Sequence, residues 1–433
     1  MAPSGFREFS ELLRGNRDFR YLWYAQVISQ VGDWFNQIAV MRLLDRLGAS
    51  GTEQALSLML RMLPHLVVAP LAGVWIDRVD RRSVLLWSDI LRAALVPAFL
   101  LTNDRGDVFG IYALIAAQVA LTALFEPAKT ALIPSLIRPD QLATANALSA
   151  ATWSVMLAIG AALAGFVINA AGLEPAFLID SASFLLSALC VVNIARRAPA
   201  ARLVSEGRPT RRWSAGFVDL FEGFRYMFGH RAVLSLVLVK AGMGLSGGTL
   251  LLLYVFARDV LPPDHRVDLW TGLLFVARAI GTGVGPFVGR LVGGRDDAAM
   301  RRVIAWGFFV AALFFTAFAQ AGNFWIGFVL LGFGHLGSSV SWVFSTVLLQ
   351  GKVEDRFRGR VFSAELSLFT VTFSLAMLAT GHALDDWGWN PRSVAVVSGA
   401  SLLVPGVLWV LAHRSRWSNP PRPESTATAS KAP

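Results

Sequence analysis

The sequence predicts an all-α membrane protein of twelve transmembrane helices arranged as two six-helix bundles. Three observations carry that prediction. First, the chain of 433 residues is 55% hydrophobic and only 16% charged. A soluble domain carries about 25% charged residues, so too few remain here to coat a water-facing surface. Second, apolar runs of about 20 residues recur from end to end, each long enough to cross about 30 Å of hydrocarbon. In lipid the backbone groups of such runs must be satisfied internally, which makes them helices. Third, most of the 39 Lys and Arg behind the formal charge of +10 fall in alternate loops and at both termini. That asymmetry is the positive-inside pattern, so the basicity encodes topology and implies no nucleic-acid partner.

Taken in order, spans are expected at 20–44, 54–76, 83–102, 109–128, 149–171, 175–195, 232–257, 269–291, 302–320, 323–349, 361–383 and 392–413. The segment before the first span is polar and basic without an apolar signal core, so no cleaved signal peptide is expected. Twelve is even, which puts both termini on one side. The Arg-rich loops make that side the cytoplasm of a bacterial inner membrane. Residues 1–195 hold the first six spans. Residues 196–231 read as a basic cytoplasmic linker whose Trp213, Phe217, Leu220, Phe221 and Phe224 recur at helical spacing, an amphipathic helix on the membrane surface. Residues 232–415 hold the second six spans. The tail, 416–433, is rich in Pro, Ser, Thr and Ala and is expected to be disordered.

The two halves repeat weakly. GVWIDRVDRR (Gly73 to Arg82) and GPFVGRLVGGR (Gly285 to Arg295) occupy matching junctions, with Gly73 over Gly285 and Arg78 over Arg290. Parallel repeats of this kind belong to transporters. Cys190 is the single cysteine, so neither a disulfide framework nor a Cys-based metal site is possible. There is no phosphate loop, no cluster of His, Cys and Asp ligands and no nucleophile elbow. No cofactor, metal or catalytic residue is expected, and the chain does not read as an enzyme.

Ionisable groups inside spans cost about 2.5–3.5 kcal/mol on insertion scales, so each is a candidate functional residue. In the first span Gln26, Gln30, Asp33 and Gln37, with Ser29 and Asn36, form one polar stripe at i, i+3, i+4 and i+7. A polar stripe cannot face lipid. It lines a substrate path with Asp33 as a proton or cation site, or it is a polar packing face. Arg61 is the expected partner of Asp33: 13 residues (33 − 20) and 15 residues (76 − 61) from the same membrane face, their depths differ by about 3 Å. An unpaired carboxylate in low dielectric is pushed toward protonation, so making and breaking the pair would couple a proton to a conformational change. His65, one turn from Arg61, is either a relay or a hydrogen-bonded structural histidine. Asp89 and Arg92, at i, i+3, read as a local pair. Glu126 reads as a gate residue or a partner of Lys129. Asp180 and Glu365 read as solvated or capping groups near span ends. The second half offers Lys240, Arg278 and His335.

The stretch Gly73 to Arg82 resembles the cytoplasmic loop motif of the major facilitator superfamily: Gly73, three residues, Asp77-Arg78, two residues, Arg81-Arg82. Asp80 stands where the family usually has glycine. Further stretches are similar to the bacterial macrolide-efflux and enterobactin-export subgroup: Asn16 to Phe35, Glu126 to Leu148, Phe177 to Leu189, and Phe357 to Glu365. In IGAALAG (Ile159 to Gly165), Ala161 replaces a proline that exporters often carry. The resemblance implies the major facilitator fold, in which spans one, four, seven and ten line a central cavity. That places Asp33, Gln118, Thr122, Lys240 and His335 there, beside Gln26, Gln30 and Gln37 of the stripe. It also implies a cytoplasmic latch of Gly73, Asp77, Arg78, Arg81 and Arg82, with Arg358 and Arg360 as neighbours from the other bundle. The function implied is proton-coupled export of amphipathic small molecules, of drug or siderophore type, by a monomer working through alternating access. An uptake permease, a lysophospholipid transporter and a transport-dead sensor or scaffold are the alternatives. The intramembrane charges Asp33, Arg61 and Lys240 speak against the last.

Overall fold

The computed structural model describes residues 4–64, 66, 68, 79–195, 215–261, 264, 266–293 and 296–418, and these contain helices and turns but no strand. The first half comprises α1 (Ser4–Gly15), α2 (Arg17–Arg46), α3 (Gly51–Leu60), α4 (Arg81–Leu95), α5 (Val108–Leu136), α6 (Leu142–Ala171) and α7 (Leu173–Val192). The second half comprises α8 (Ala215–Gly229), α9 (Arg231–Met243), α10 (Gly248–Val255), α11 (Val267–Gly293), α12 (Asp297–Phe318), α13 (Phe324–Lys352), α14 (Asp355–Asp385), α15 (Pro391–Ser401) and α16 (Leu403–Ser418).

Ten helices among the described residues are long and apolar enough to cross a membrane, and they coincide with the third to twelfth expected spans. The count falls short of twelve at the first two. α2 has ample length at 30 residues, but its polar stripe lowers its hydropathy. α3 is the described start of the second span, which breaks at Arg61 and Met62. His65 and residues 69–78, with Gly73, Asp77 and Arg78, lie outside the described residues.

Local chemistry fixes the helix starts. Asn16 Oδ1 accepts from Phe19 N at 2.9 Å and caps α2, while Asn16 Nδ2 donates to Leu136 O at the end of α5 (2.6 Å). Ser50 and Glu53 form a capping box on α3. Such caps satisfy the orphan N–H groups of a first turn. α6 and α7 are separated by Gly172, whose φ of 86° suits glycine.

Helix direction follows from what the ends touch. The end of α6 lies against the start of α11, where a Cβ on Gly165 would meet Asp268 O and Gly272. The end of α14 lies against the start of α3. By alternation, the starts of α2, α8 and α14 and the ends of α13 and α16 share the opposite face. Both described termini therefore lie on one face, called here the terminal face; the other is the distal face. α8 lies at the terminal face on α14. Arg360 pairs there with Asp219 (2.9 Å) and Glu222 (2.6 Å), and Tyr226 stacks on Phe357. Phe217, Phe221 and Phe228 stay exposed along the other side of α8. Trp213, the basic stretch before it and residues 419–433 lie outside the described residues. Up to Ser418 the chain is helical rather than disordered.

Candidate substrate and coupling site

The polar stripe of α2 divides. Gln26 is buried and its amide donates to Ser149 O of α6 (3.1 Å). It therefore fastens α2 to α6 and does not line a cavity. Gln30, Asp33 and Gln37 remain half-buried along one line of the helix. Asp33 has no hydrogen bond or ion pair among the described residues, but Arg92, Arg61, Glu126 and Lys129 lie within its electrostatic reach.

The direct Asp33–Arg61 pair expected from depth does not form. Arg61 Nη2 donates instead to Asn36 Oδ1 at 2.7 Å and more weakly to Asn36 O at 3.4 Å. The helix ends at Leu60, so Arg61 leaves the course that a continuous span would give it. Beyond Asn36 lies Asp180 of α7. This carboxyl is not near solvent, contrary to the sequence reading. It is fully buried, and neither oxygen has a hydrogen-bond partner. Asn36 Nδ2 is likewise unpartnered. Gly32 makes the approach possible: a Cβ there would collide with Ser183 Oγ and stand 2.7 Å from Asp180 Oδ1. One glycine thus seats a carboxyl of α7 against the α2 backbone, beside Asp33.

The other charges of the first half are closed. Asp89 and Arg92 pair at 2.5 Å as the spacing predicts. Ser187 donates to the free Asp89 oxygen (2.6 Å), and the guanidinium lies over Phe184 and Phe125. Lys129 pairs with Glu126 at 2.7 Å. Thr122 donates to Gln118 O and is within 3.4 Å of Arg92 Nη1, and Gln118 is buried with Oε1 unpartnered.

In the second half Lys240 is buried and pairs with Glu365 at 2.8 Å, with Trp342 beneath its ammonium at 4.5 Å. Lys240 is therefore a paired group rather than a free cavity cation. Glu365 is neither solvated nor a cap, because α14 begins at Asp355 and carries it deep into the bundle. His335 Nδ1 donates to Leu331 O (3.1 Å), and its ring meets Phe315 edge-on.

The described latch residues are each held within their own half. Arg81 donates to Ala131 O, and Arg82 donates to Val191 O and Val192 O, favourable partners for a cation at a helix C-terminus. Arg358 pairs with Asp355, and Arg360 is taken by α8. Neither is the cross-bundle neighbour that the family resemblance implied.

Contacts between halves gather at the distal face. Arg258 pairs with Asp45 (2.6 Å), and Arg42 lies 3.5 Å from Asp268. Asp385 accepts from the N–H groups of Gly51 (2.9 Å) and Thr52 (2.6 Å) at the start of α3. Below them α6 packs closely on α11, and Trp34 contacts Phe275. The small residues Ala161 and Gly165 allow this approach without proline. Among the described residues, every ion pair between the halves lies at the distal face, so the distal side is closed. Sequence reasoning missed these groups. Their signal was charges at the ends of the first, seventh, eighth and eleventh spans.

These features define a multi-pass helical membrane protein closed at its distal face. The family model for the Major Facilitator Superfamily matches residues 22–296, and the chain belongs to that family. It is 27% identical to the uncharacterized MFS-type transporter YkuC of Bacillus subtilis over 64% of this chain, an alignment spanning 65% of that protein. It is 22% identical to macrolide efflux protein A of Streptococcus pyogenes over 86% of this chain and 90% of that protein. A bacterial homolog of the human lysosomal transporter Spinster, solved inward-facing and unoccupied, superposes with a TM-score of 0.70 at 15% identity, covering 94% of this chain and 97% of that one. That likeness places the fold.

Proposed function

We propose that this protein is a proton-coupled exporter of amphipathic small molecules, with twelve spans in two bundles (1–195 and 232–415) and both termini in the cytoplasm of a bacterial inner membrane. The observation that carries this reading is the uncompensated acidic centre of the first half. Asp33, half-buried and unpaired among the described residues, sits with Asp180 around Arg61 and Asn36. Two carboxylates and one guanidinium leave a net charge of −1 in a low-dielectric interior, a deficit that one proton removes. The likeness to macrolide efflux protein A supports export. The distal closure supports a state open toward the terminal face, from which a cytoplasmic substrate would enter. The motif at Gly73, Asp77 and Arg78 then serves as the latch of the alternate state, when Arg81, Arg82, Arg358 and Arg360 can exchange partners. Everted vesicles with an imposed pH gradient test the reading. Asp33→Asn should abolish gradient-driven flux, because an amide cannot cycle a proton, while the purified variant stays folded. Wild-type coupled flux in Asp33→Asn would overturn it.

A further inference from the structure

Arg278 stands at mid-depth in α11, 11 residues from its start at Val267 (278 − 267) and 15 from its end at Gly293 (293 − 278). Those intervals correspond to about 16 Å and about 22 Å of helix, too far for the side chain to snorkel to either surface. It also points inward. The lipid-facing stripe of α11 is marked by exposed Ile280, Val284, Phe287 and Leu291, and at about 100° per residue Arg278 lies about 150° from the centre of that stripe. The residue is half-buried, so its guanidinium borders open space.

Its neighbours do not neutralise it. Arg61 has the Asn36 oxygen, Arg92 has Asp89, Lys129 has Glu126 and Lys240 has Glu365. Arg278 has the ring of Phe275 at 5.9 Å and His335 within electrostatic reach; among the described residues no carboxylate reaches it. Phe275 touches Trp34, next to Asp33. Arg278 therefore sits one helical turn from the closed seam between the halves, where Phe275 meets Trp34. An uncompensated guanidinium at this depth is costly and marks a substrate path. Its fork of N–H donors matches a carboxylate in two-point contact.

We propose that Arg278 anchors a carboxylate on the transported molecule, so that the substrates are amphipathic anions whose charged end rests on the second half and whose apolar body lies along aromatic walls. The proposal rests on the transporter reading above and narrows its substrate class. The probes are dansylaminoundecanoate, its methyl ester and a trimethylammonium analogue of equal length. Binding would be followed by fluorescence on purified protein in phosphatidylcholine nanodiscs, with partition into empty discs subtracted. The wild type should bind the carboxylate at least tenfold more tightly than the ester and more tightly than the cation. Arg278→Gln should lose that preference with ester binding unchanged, and Arg278→Lys should keep part of it. If Arg278→Gln does not fold, the wild-type preference and Arg278→Lys still decide. Equal binding of carboxylate and ester, preference for the cation, or an intact carboxylate preference in Arg278→Gln would overturn the assignment. Binding needs no pH gradient, so absence of gradient-driven flux in the wild type, or undiminished flux in Asp33→Asn, would sink proton-coupled export and leave the anion anchor standing.

Discussion

The charged centres of the two halves each hold a fully buried carboxyl, Asp180 and Glu365, and complete it differently. In the second half Lys240 and Glu365 meet at 2.8 Å over Trp342, a closed pair. In the first half Asp180 is sealed from solvent with neither oxygen within hydrogen-bond distance of a donor, and Arg61 turns its Nη2 to Asn36. Between these extremes stands Asp385, which receives two backbone N–H groups from the other half. The three carboxyls form a series from ion-paired through amide-capped to unpartnered. A buried charge is tolerated when its partner is fixed, and such a group holds a bundle together. A group with no partner contributes nothing to a rigid core and is free to change its charge during a cycle. The difference divides the labour: the second half's pair is architectural, and the first half's centre is where coupling can occur.

The largest effect should come from opening the closed pair. Glu365→Gln strands the Lys240 ammonium in the bundle, and removing one partner of a buried pair costs about 3–5 kcal/mol. The thermal unfolding midpoint in detergent should fall steeply. The double variant Lys240→Met with Glu365→Leu should recover most of the loss, because no charge is left unpaired. Equal destabilisation in the single and double variants would show that the pair is not the architectural element. The intermediate case tests the seam between the halves. Asp385→Ala leaves the Ser50–Glu53 capping box but strips the acceptor from the Gly51 and Thr52 N–H groups, a loss of about 0.5–2 kcal/mol, and so moves the balance between distal-closed and distal-open states about 2- to 30-fold. Crosslinking between cysteines placed at Ser50 and Asp386, in a Cys190→Ser background, should fall accordingly. An unchanged yield would mean that the Arg258–Asp45 and Arg42–Asp268 pairs hold the seam without Asp385.

How far the sequence reached follows the same division. Apolar runs of membrane length fixed ten of the spans, and helical periodicity picked out Asp33 within its stripe. Pairing across helices was not legible. Lys240 and Glu365 are 125 positions apart, and the apolar pattern placed the eleventh span at 361, six residues after the true start at Asp355 (361 − 355). That error made a buried glutamate look like a surface one. Arg61 was assigned to Asp33 by depth on an unbroken helix, and the turn at Arg61 and Met62 undid the geometry. Asp180 was invisible for another reason: a single acid in an apolar run gains meaning only from Gly32 on a different helix, which lets it approach Asp33. Composition and period report how one helix meets its surroundings, whereas these sites depend on which helix is next to which.

The smallest expected effect on stability is the sharpest test of the comparison. Asp180 is as buried as Glu365, so burial alone predicts similar penalties for their amide variants. Partnering predicts otherwise. No donor comes within hydrogen-bond distance of the Asp180 carboxyl, although the Asn36 amide lies beside it, and the stability cost of losing a polar group comes from the partners left behind. An amide of nearly the same shape keeps the contact with Gly32 and can give its N–H₂ to Asn36. Asp180→Asn should therefore shift folding stability by less than about 1 kcal/mol, several-fold below the cost at Glu365. Its effect belongs instead to function. The acidic centre would lose one ionisable group, Asp33 and Arg61 would balance without a proton, and gradient-driven flux should drop at least tenfold while substrate binding persists. A midpoint depressed as far as that of Glu365→Gln would mean that Asp180 has a structural partner. Wild-type flux in a folded Asp180→Asn protein would leave Asp33 as the coupling carboxyl and remove Asp180 from the site.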